Sequence, residues 1–431
     1  MRTHYTNQIT PADAGKDVVV CGWVHEVRDM GKLMFVLLRD RSGIIQITAK
    51  SGVTAEPVMA ALHGIPKESV LRVSGSVLAC KPAPGGVEVS PKSVEVLSVS
   101  KSPLPMDVTG KVKAEIDTRL DNRFMDLRKP EVAAIFKLRS RIVSAGIKYL
   151  ENSGFIEVHT PKIIASASEG GTELFPIAYF DKEAFLAQSP QLYKQTMMSA
   201  GFDRVYEIAR YFRAEEHDTV RHLNEIMAFD IEMSFIKDEA DIMDVLEGLS
   251  LAVIKSAAES EEIKFLKKEI EVPKKVDRLR YDDVLDMIAG QGKKIEWGHD
   301  IDTEGEKVLG RIMAKEGKDI YFITKYPLNI KPFYTMPDTN KKYARAFDLE
   351  HTGDEISSGG QRIHDHAFLV KRLKHWNLKP ENFEFYLKAF EYGMPPHGGF
   401  GLGIERILMK ILNTQIREVV LFPRDRYRLT P

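Results

Sequence analysis

Five short β-rich runs fill the first hundred residues, and they constrain the fold more than any other feature of this chain. They cover residues 18–27, 33–38, 44–48, 70–78 and 87–99, with Met30-Gly31-Lys32, Gly43 and a Pro/Gly-rich stretch at 81–86 between them. Residues 55–62, after the third run, read as a short helix. Strands of this length divided by turn residues close into a small barrel or sandwich. Five strands with a helix after the third fit an OB-fold, a common carrier of oligonucleotide binding.

One barrel cannot use 431 residues, so at least one further domain follows. Ser102-Pro-Leu-Pro105 marks a linker. Residues 104–130 are charged and Arg-rich and read as a hinge. An amphipathic helix is expected over 131–152, with Ile135, Leu138, Ile142, Ala145 and Tyr149 as its apolar stripe. Gly154 ends it, and a strand over 155–158 leads to Pro161. Short strands and helices alternate to residue 236, a charged helical stretch near 238–320 reads as an insertion, and a last apolar helix covers 404–412. The expected division is 1–103 barrel, 104–130 hinge and 131–431 α+β domain, the last built on an antiparallel sheet flanked by helices.

Charge adds little to this. Lys and Arg number 61 against 62 Asp and Glu, so no basic excess advertises nucleic acid, although local patches remain open. Cys21 and Cys80 stand far apart, without the spacing of a zinc site or a disulfide framework. The N-terminus lacks the apolar core of a signal peptide. No stretch approaches the ~20 apolar residues of a membrane span. A cytoplasmic protein without a membrane partner is expected.

Several segments carry chemistry. Tyr211 to Glu225 lies between two β-like runs, a hairpin with Arg213, Arg221 and His222 near its turn. Arginine forks suit carboxylates and phosphates. His397-Gly-Gly-Phe-Gly-Leu-Gly-Ile-Glu-Arg406 reads as a glycine-rich strand entering a helix, where backbone can approach a nucleotide closely. Asp348, Glu355 and Ser358 offer the oxygen ligands that Mg²⁺ prefers. Ser168-Glu-Gly-Gly-Thr172 could close over a ligand. Gln191 and Lys194 form a polar set at a helix start. Taken singly, the hairpin reads better as a solvated charged turn, and each other segment is also compatible with an ordinary loop or a packing turn.

Their order changes the picture. From about residue 137 onward the chain resembles the catalytic domain of class II aminoacyl-tRNA synthetases. The long helix with Gly154-Phe-Ile-Glu-Val and Pro161 is similar to the first family motif. Phe212-Arg-Ala-Glu215 is similar to the second, and Gly401-Leu-Gly-Ile-Glu-Arg406 to the third. With the barrel, the chain looks like the subclass of aspartate, asparagine and lysine enzymes, and Gln191-Leu-Tyr-Lys194 with Ser358-Gly-Gly-Gln-Arg362 resembles its aspartate branch.

The resemblance implies roles residue by residue. L-Aspartate would be held by Glu169, Gln191, Lys194, Arg213, Ser358 and Arg362. ATP would be held by Arg213, Glu215, Arg221, His222, Leu223, Glu355, Gly403, Ile404, Glu405 and Arg406. Asp348, Glu355 and Ser358 would hold Mg²⁺, and Arg213 and Arg406 would act on the reacting phosphates. Arg28, Phe35 and Gln46, with Trp23, would meet the anticodon. His25 and Pro84 match the type that aspartylates both tRNA(Asp) and tRNA(Asn), which calls for an amidotransferase downstream. The first motif implies a homodimer. One departure stands out: the second motif usually carries phenylalanine where Ile226 stands, four residues after His222. An asparagine enzyme and an AMP-forming amino-acid ligase are the alternatives.

Overall fold

A computed structural model describes residues 1–165, 173–215 and 221–431. The chain forms two compact units, Met1–Met125 and Asp126–Pro431.

In the first unit, β1 (Asp17–Asp29), β2 (Leu33–Arg39), β3 (Ile44–Lys50), β4 (Val70–Ala79) and β5 (Val87–Ser98) close into a barrel of order β1-β2-β3-β5-β4, with α1 (Glu56–Leu62) after β3. Alternate residues fill it: Val20 and Val24 from β1, Val36 and Leu38 from β2, Ile47 from β3, Val73 from β4 and Val89 from β5 are all fully buried. The alternation in β1 breaks once. Val24 pairs with Leu38 and Glu26 with Leu37, so His25 is the extra residue of a β-bulge. Before it the even residues face the core; after it Val27 does. Residues 104–130, read as a hinge, carry α2 (Ile116–Asp121) and α3 (Arg123–Asp126), and Met106, Val108 and Met125 form a small cluster there.

The second unit begins with α4 (Pro130–Asn152), β6 (Ile156–Glu157), β7 (Ile163–Ile164), β8 (Pro176–Tyr179), β9 (Lys182–Leu186), α5 (Gln191–Ser199), β10 (Arg204–Phe212) and β11 (Glu225–Ser234). It continues with α6 (Glu239–Ala258), α7 (Glu261–Phe265), β12 (Asp277–Arg280), α8 (Tyr281–Ala289), α9 (Thr303–Lys315) and β13 (Ile320–Thr324). It ends with β14 (Ala346–His351), β15 (Asp354–Gln361), α10 (His366–His375), α11 (Glu384–Glu391), β16 (His397–Gly403) and α12 (Ile404–Leu412). Its sheet has the order β12-β13-β14-β15-β16-β11-β10-β6. All pairs from β13 to β10 are antiparallel, and both edge strands, β12 and β6, join in parallel. The sheet is therefore mixed rather than purely antiparallel.

Helices α4, α6 and α12 cover one face. Phe229 and Ile231 of β11 and Phe400 and Leu402 of β16 meet Leu138, Ile142, Leu246 and Ile407 there. The stretch 238–320, read as an insertion, divides in the structure. Its α6 belongs to this main core, whereas α8, α9 and β13 build a separate cluster around Tyr281, Leu309 and Tyr321. The buried seam of α4 runs Leu138, Ile142, Gly146, Leu150, with Ile135 and Tyr149 at its margins. Glycine at 146 lets the helix settle on the Phe229 ring: a Cβ there would lie 2.4 Å from Cζ. Gly146→Ala is expected to destabilise the protein by about 1–3 kcal/mol in calorimetric unfolding, while Ser144→Ala, on the exposed side of α4, leaves it unchanged.

Candidate active site

The opposite face of the sheet carries the polar side chains, and strand periodicity puts them there. On β11, Phe229, Ile231 and Met233 point to the helices, so Asp230 and Glu232 point away from them. Their partners on β16 are glycines: Asp230 lies opposite Gly401 and Glu232 opposite Gly399. A Cβ at Gly399 would meet the Glu232 carboxylate at 2.3 Å, and one at Gly401 would meet the Tyr211 hydroxyl at 2.8 Å. The glycine run thus makes room for two carboxylates lying flat across the neighbouring strand. One cross-strand row continues through Ser358, opposite Gly401, to Asp348, opposite Ser358.

Two cations meet these carboxylates. Lys194 reaches from α5, its Nζ 2.6 Å from Asp230 and 3.3 Å from Glu232. Arg362 follows β15, its Nε 3.2 Å from Glu232 and its Nη2 donating to the Gly399 carbonyl at 2.9 Å. All four are at most 5% exposed. Tyr211 donates its hydroxyl to Asp230. Burial pushes the Asp230 carboxyl above its ordinary value while Lys194 pulls it back down.

A cavity of about 280 Å³ opens over this floor. It gathers Gln191, Lys194, Arg213, Glu215, Arg221, His222, Leu223, Glu355, Ser358, Arg362, Gly403, Glu405 and Arg406 from elements far apart in sequence. Arg213 follows β10 in the hairpin. Its backbone amide donates to the Asn224 carbonyl at 2.9 Å, and the Asn224 side-chain Nδ2 donates back to the Arg213 carbonyl at 2.7 Å. Arg406, on the first turn of α12, donates to the Glu355 carbonyl at 2.8 Å and lies 3.5 Å from the His222 ring. Leu223, Ile226 and Ile416 supply apolar wall, so Ile226 stands within the cavity in place of the aromatic expected there.

Several expected contributors are engaged with the protein itself. The Ile404 side chain is fully buried in the helix-side core and faces away from the cavity, because it opens α12 on its apolar face. Glu405 ties elements together: one carboxylate oxygen accepts from Arg139 of α4 at 2.5 Å, the other from the Met227 amide at 2.9 Å. Arg221 is engaged with Glu306 of α9 at 2.7 Å and Asp354 at 2.8 Å. Asp348 is buried behind the cavity wall, 2.7 Å from the ammonium of Lys331, which does line the cavity. Glu169 and its loop lie outside the described residues.

The donor set suits Mg²⁺. Among the described residues no three His, Cys, Asp or Glu side chains close around an ion. Mg²⁺ is commonly held by one or two carboxylates completed by substrate phosphates and water. Asp348, with a buried Oδ1 lacking a hydrogen-bond partner, and Glu355 on the cavity wall could supply the carboxylates, with Ser358 beside them.

In the barrel, the candidate readers occupy its outer surface. Phe35 pairs with Arg28 on one side and Thr48 on the other. Gln46 donates to Glu88 at 2.8 Å, and Pro84 is exposed in the turn before β5. His25, on the bulge, accepts from Arg39 at 2.9 Å.

Residues 115–426 match the family of tRNA synthetases class II (D, K and N), and residues 18–97 match the OB-fold nucleic acid binding domain. The chain belongs to the class II tRNA synthetases. It is 55% identical to an aspartate–tRNA(Asp) ligase of Pyrococcus horikoshii, covering 100% of both chains. It is 53% identical to an aspartate–tRNA(Asp/Asn) ligase of Methanothermobacter thermautotrophicus, over 100% of this chain and 98% of the other. A crystal structure of asparaginyl-tRNA synthetase from Pyrococcus horikoshii with asparaginyl-adenylate superposes at a TM-score of 0.92, with 33% identity over 99% of each chain.

Sequence analysis of this synthetase missed Asp230 and Glu232. Their signal was present in Phe229-Asp-Ile-Glu-Met233, an alternating strand whose polar residues are both acidic. Lys194→Met, which strands those carboxylates, is expected to cost about 3–5 kcal/mol of stability in chemical unfolding. Adding Asp230→Asn is expected to recover part of the loss in a double-mutant cycle.

Proposed function

We propose that the protein is an aspartate–tRNA ligase that charges both tRNA(Asp) and tRNA(Asn) with aspartate through an aspartyl-adenylate. The observation that carries the amino-acid choice is the pair Lys194 and Arg362 over the glycine floor. A substrate carboxylate offers acceptors to both cations. A carboxamide would turn an NH₂ donor toward one of them and leave that contact unmade.

Arg213 bridges the α-carboxylate of aspartate and the α-phosphate of ATP. The carboxylate is already anionic at neutral pH, so the first step needs no general base. A carboxylate oxygen bonds to the α-phosphorus as the bond to the pyrophosphate oxygen breaks, and pyrophosphate leaves. Positioning and charge neutralisation carry this step. Glu215 and His222 hold the nucleotide, and Arg406 meets the γ-phosphate. Arg221 exchanges Glu306 and Asp354 for phosphate oxygens. Asp348, Glu355 and Ser358 would hold Mg²⁺, which would supply countercharge to the triphosphate. In the second step a hydroxyl at the tRNA 3′ end attacks the activated carbonyl, and AMP departs.

Relaxed tRNA choice is supported by His25 and Pro84 in the barrel. The two anticodons differ only in their third base, cytosine or uracil, and losing one base-specific contact forfeits about 1–3 kcal/mol of discrimination. The product Asp-tRNA(Asn) requires an amidotransferase as partner, and α4 with Pro161 supports a homodimer.

Charging of purified tRNA(Asp) and tRNA(Asn) transcripts with labelled aspartate is expected to proceed with comparable kcat/KM. Charging of tRNA(Asp) alone would discard the relaxed choice. In ATP–pyrophosphate exchange aspartate is expected to dominate; dominance of asparagine would sink the amino-acid assignment. Arg362→Met is expected to raise the aspartate KM by about 10²-fold or more in the same exchange assay.

A further inference from the structure

Three features of the barrel converge on His25. The bulge in β1 makes it the extra residue, freed from strict in–out alternation. Arg39, at the end of β2, places Nη1 2.9 Å from His25 Nδ1 and Nη2 2.7 Å from the Glu68 carboxylate. The arginine and glutamate side chains are 5% and 0% exposed. The segment that supplies Glu68 clasps the bulge from the other side: the Glu68 amide donates to the Val24 carbonyl at 2.7 Å, and the Val24 amide to the Ser69 carbonyl at 2.8 Å. Glu68 takes a left-handed backbone conformation, φ 66°, to do so.

Neither the strained glutamate nor the buried ion pair is explained by stability. Left-handed glutamate is unfavourable, and a buried arginine–carboxylate pair stabilises no better than a well-packed apolar pair. Both fit a device that holds something else in place. A guanidinium has only donors, so the ring nitrogen it meets must accept. His25 Nδ1 then carries no hydrogen and Nε2 carries it. Nε2 has no partner among the described residues.

We propose that Arg39, anchored by Glu68, is a positioning residue that fixes His25 as a permanent Nε2–H donor, and that this donor meets the O2 carbonyl that cytosine and uracil share. This rests on the reading of the barrel as an anticodon reader with relaxed choice. The two pyrimidines differ at the 4-position, amino in one and carbonyl in the other, and agree at O2. A fixed donor aimed at O2 holds either base and distinguishes neither.

The surroundings also disfavour protonation of the ring. Burial and the Arg39 charge hold the His25 imidazole below its ordinary value, Lys67 adds to this, and Glu68 and Glu26 oppose it. This disfavours protonation at Nδ1 and so favours its role as the acceptor of the Arg39 hydrogen bond.

The test has two readouts on the full-length protein. Long-range ¹H–¹⁵N spectra of histidine-labelled protein, with His25 assigned by its loss in His25→Gln, are expected to show the Nε2-protonated neutral tautomer between about pH 6 and 8. In Arg39→Met the ring is expected to become a tautomer mixture that titrates near the ordinary histidine value. In parallel, Arg39→Met is expected to raise KM for tRNA(Asp) and tRNA(Asn) by the same factor, about fivefold for one lost hydrogen bond, without changing kcat. Glu68→Gln is expected to act in the same direction less strongly. Aspartate-dependent ATP–pyrophosphate exchange reports whether each variant is folded. An Nδ1-protonated His25 in the wild type would overturn the proposal, even if no variant folds. So would an Arg39→Met enzyme whose two KM values move apart. A wild type that charges tRNA(Asp) alone would overturn the shared-acceptor role and the relaxed choice beneath it, while the tautomer spectrum would still report separately on Arg39.

Discussion

The cluster of Lys194, Arg362, Asp230 and Glu232 is the constraint on which the rest of the site depends. Four charges removed from water are tolerable only if each is paired at close range, and breaking such a cluster costs more than forming it gains. The pairing distances of 2.6–3.3 Å require the two carboxylates to lie across β16 rather than rise from it. That in turn requires strand positions without side chains, which Gly399 and Gly401 provide. The glycine run therefore has two duties. It leaves the sheet surface open beneath the cavity, and it lets the electrostatic floor of that cavity exist.

The same logic extends to the nucleotide end. Arg221 carries Glu306 and Asp354, Lys331 carries Asp348, and Arg406 carries the Glu355 carbonyl. Each cation that faces the cavity is held in place by a protein acceptor. A ligand bound there would exchange partners with these groups, its free energy a difference between two paired states rather than the filling of an empty charge. Arg221 shows the consequence for architecture. Its partner Glu306 comes from α9, within the stretch that looks like an insertion, so that stretch reaches the catalytic cavity electrostatically although its own core is separate.

Much of the fold was legible in the sequence, and for definable reasons. The barrel strands announced themselves as β-branched and apolar runs of strand length separated by turn residues, although the bulge at His25 in β1 was not visible in that pattern. The last helix was legible to the residue because Gly403 precedes it and Asn413 closes it in a left-handed conformation. The buried face of α4 was less legible: Gly146 carries no hydrophobic signal, yet it packs directly on the Phe229 ring. Ile404 was read toward the nucleotide because it stands beside Arg406 in one motif, but a helix turns 100° per residue and sends it to the core, while Glu405 lines the cavity and also binds Arg139.

Sequence alone determined which chemistry is available: arginines and a glycine run in a fixed order, a β-rich barrel ahead of them, and family membership that follows from those motifs. It could not determine partnership, because the partners are set by strand register and by elements distant along the chain. That Lys194 meets Asp230 and Glu232 depends on α5 lying over β11. That Glu232 lies over Gly399 depends on a register fixed by the whole sheet. That His25 meets Arg39 depends on one bulge that shifts a strand by a single residue. Charges interact through space and are screened within about 10 Å at physiological salt, so only the tertiary structure decided which of them are paired, which are buried, and which face the cavity.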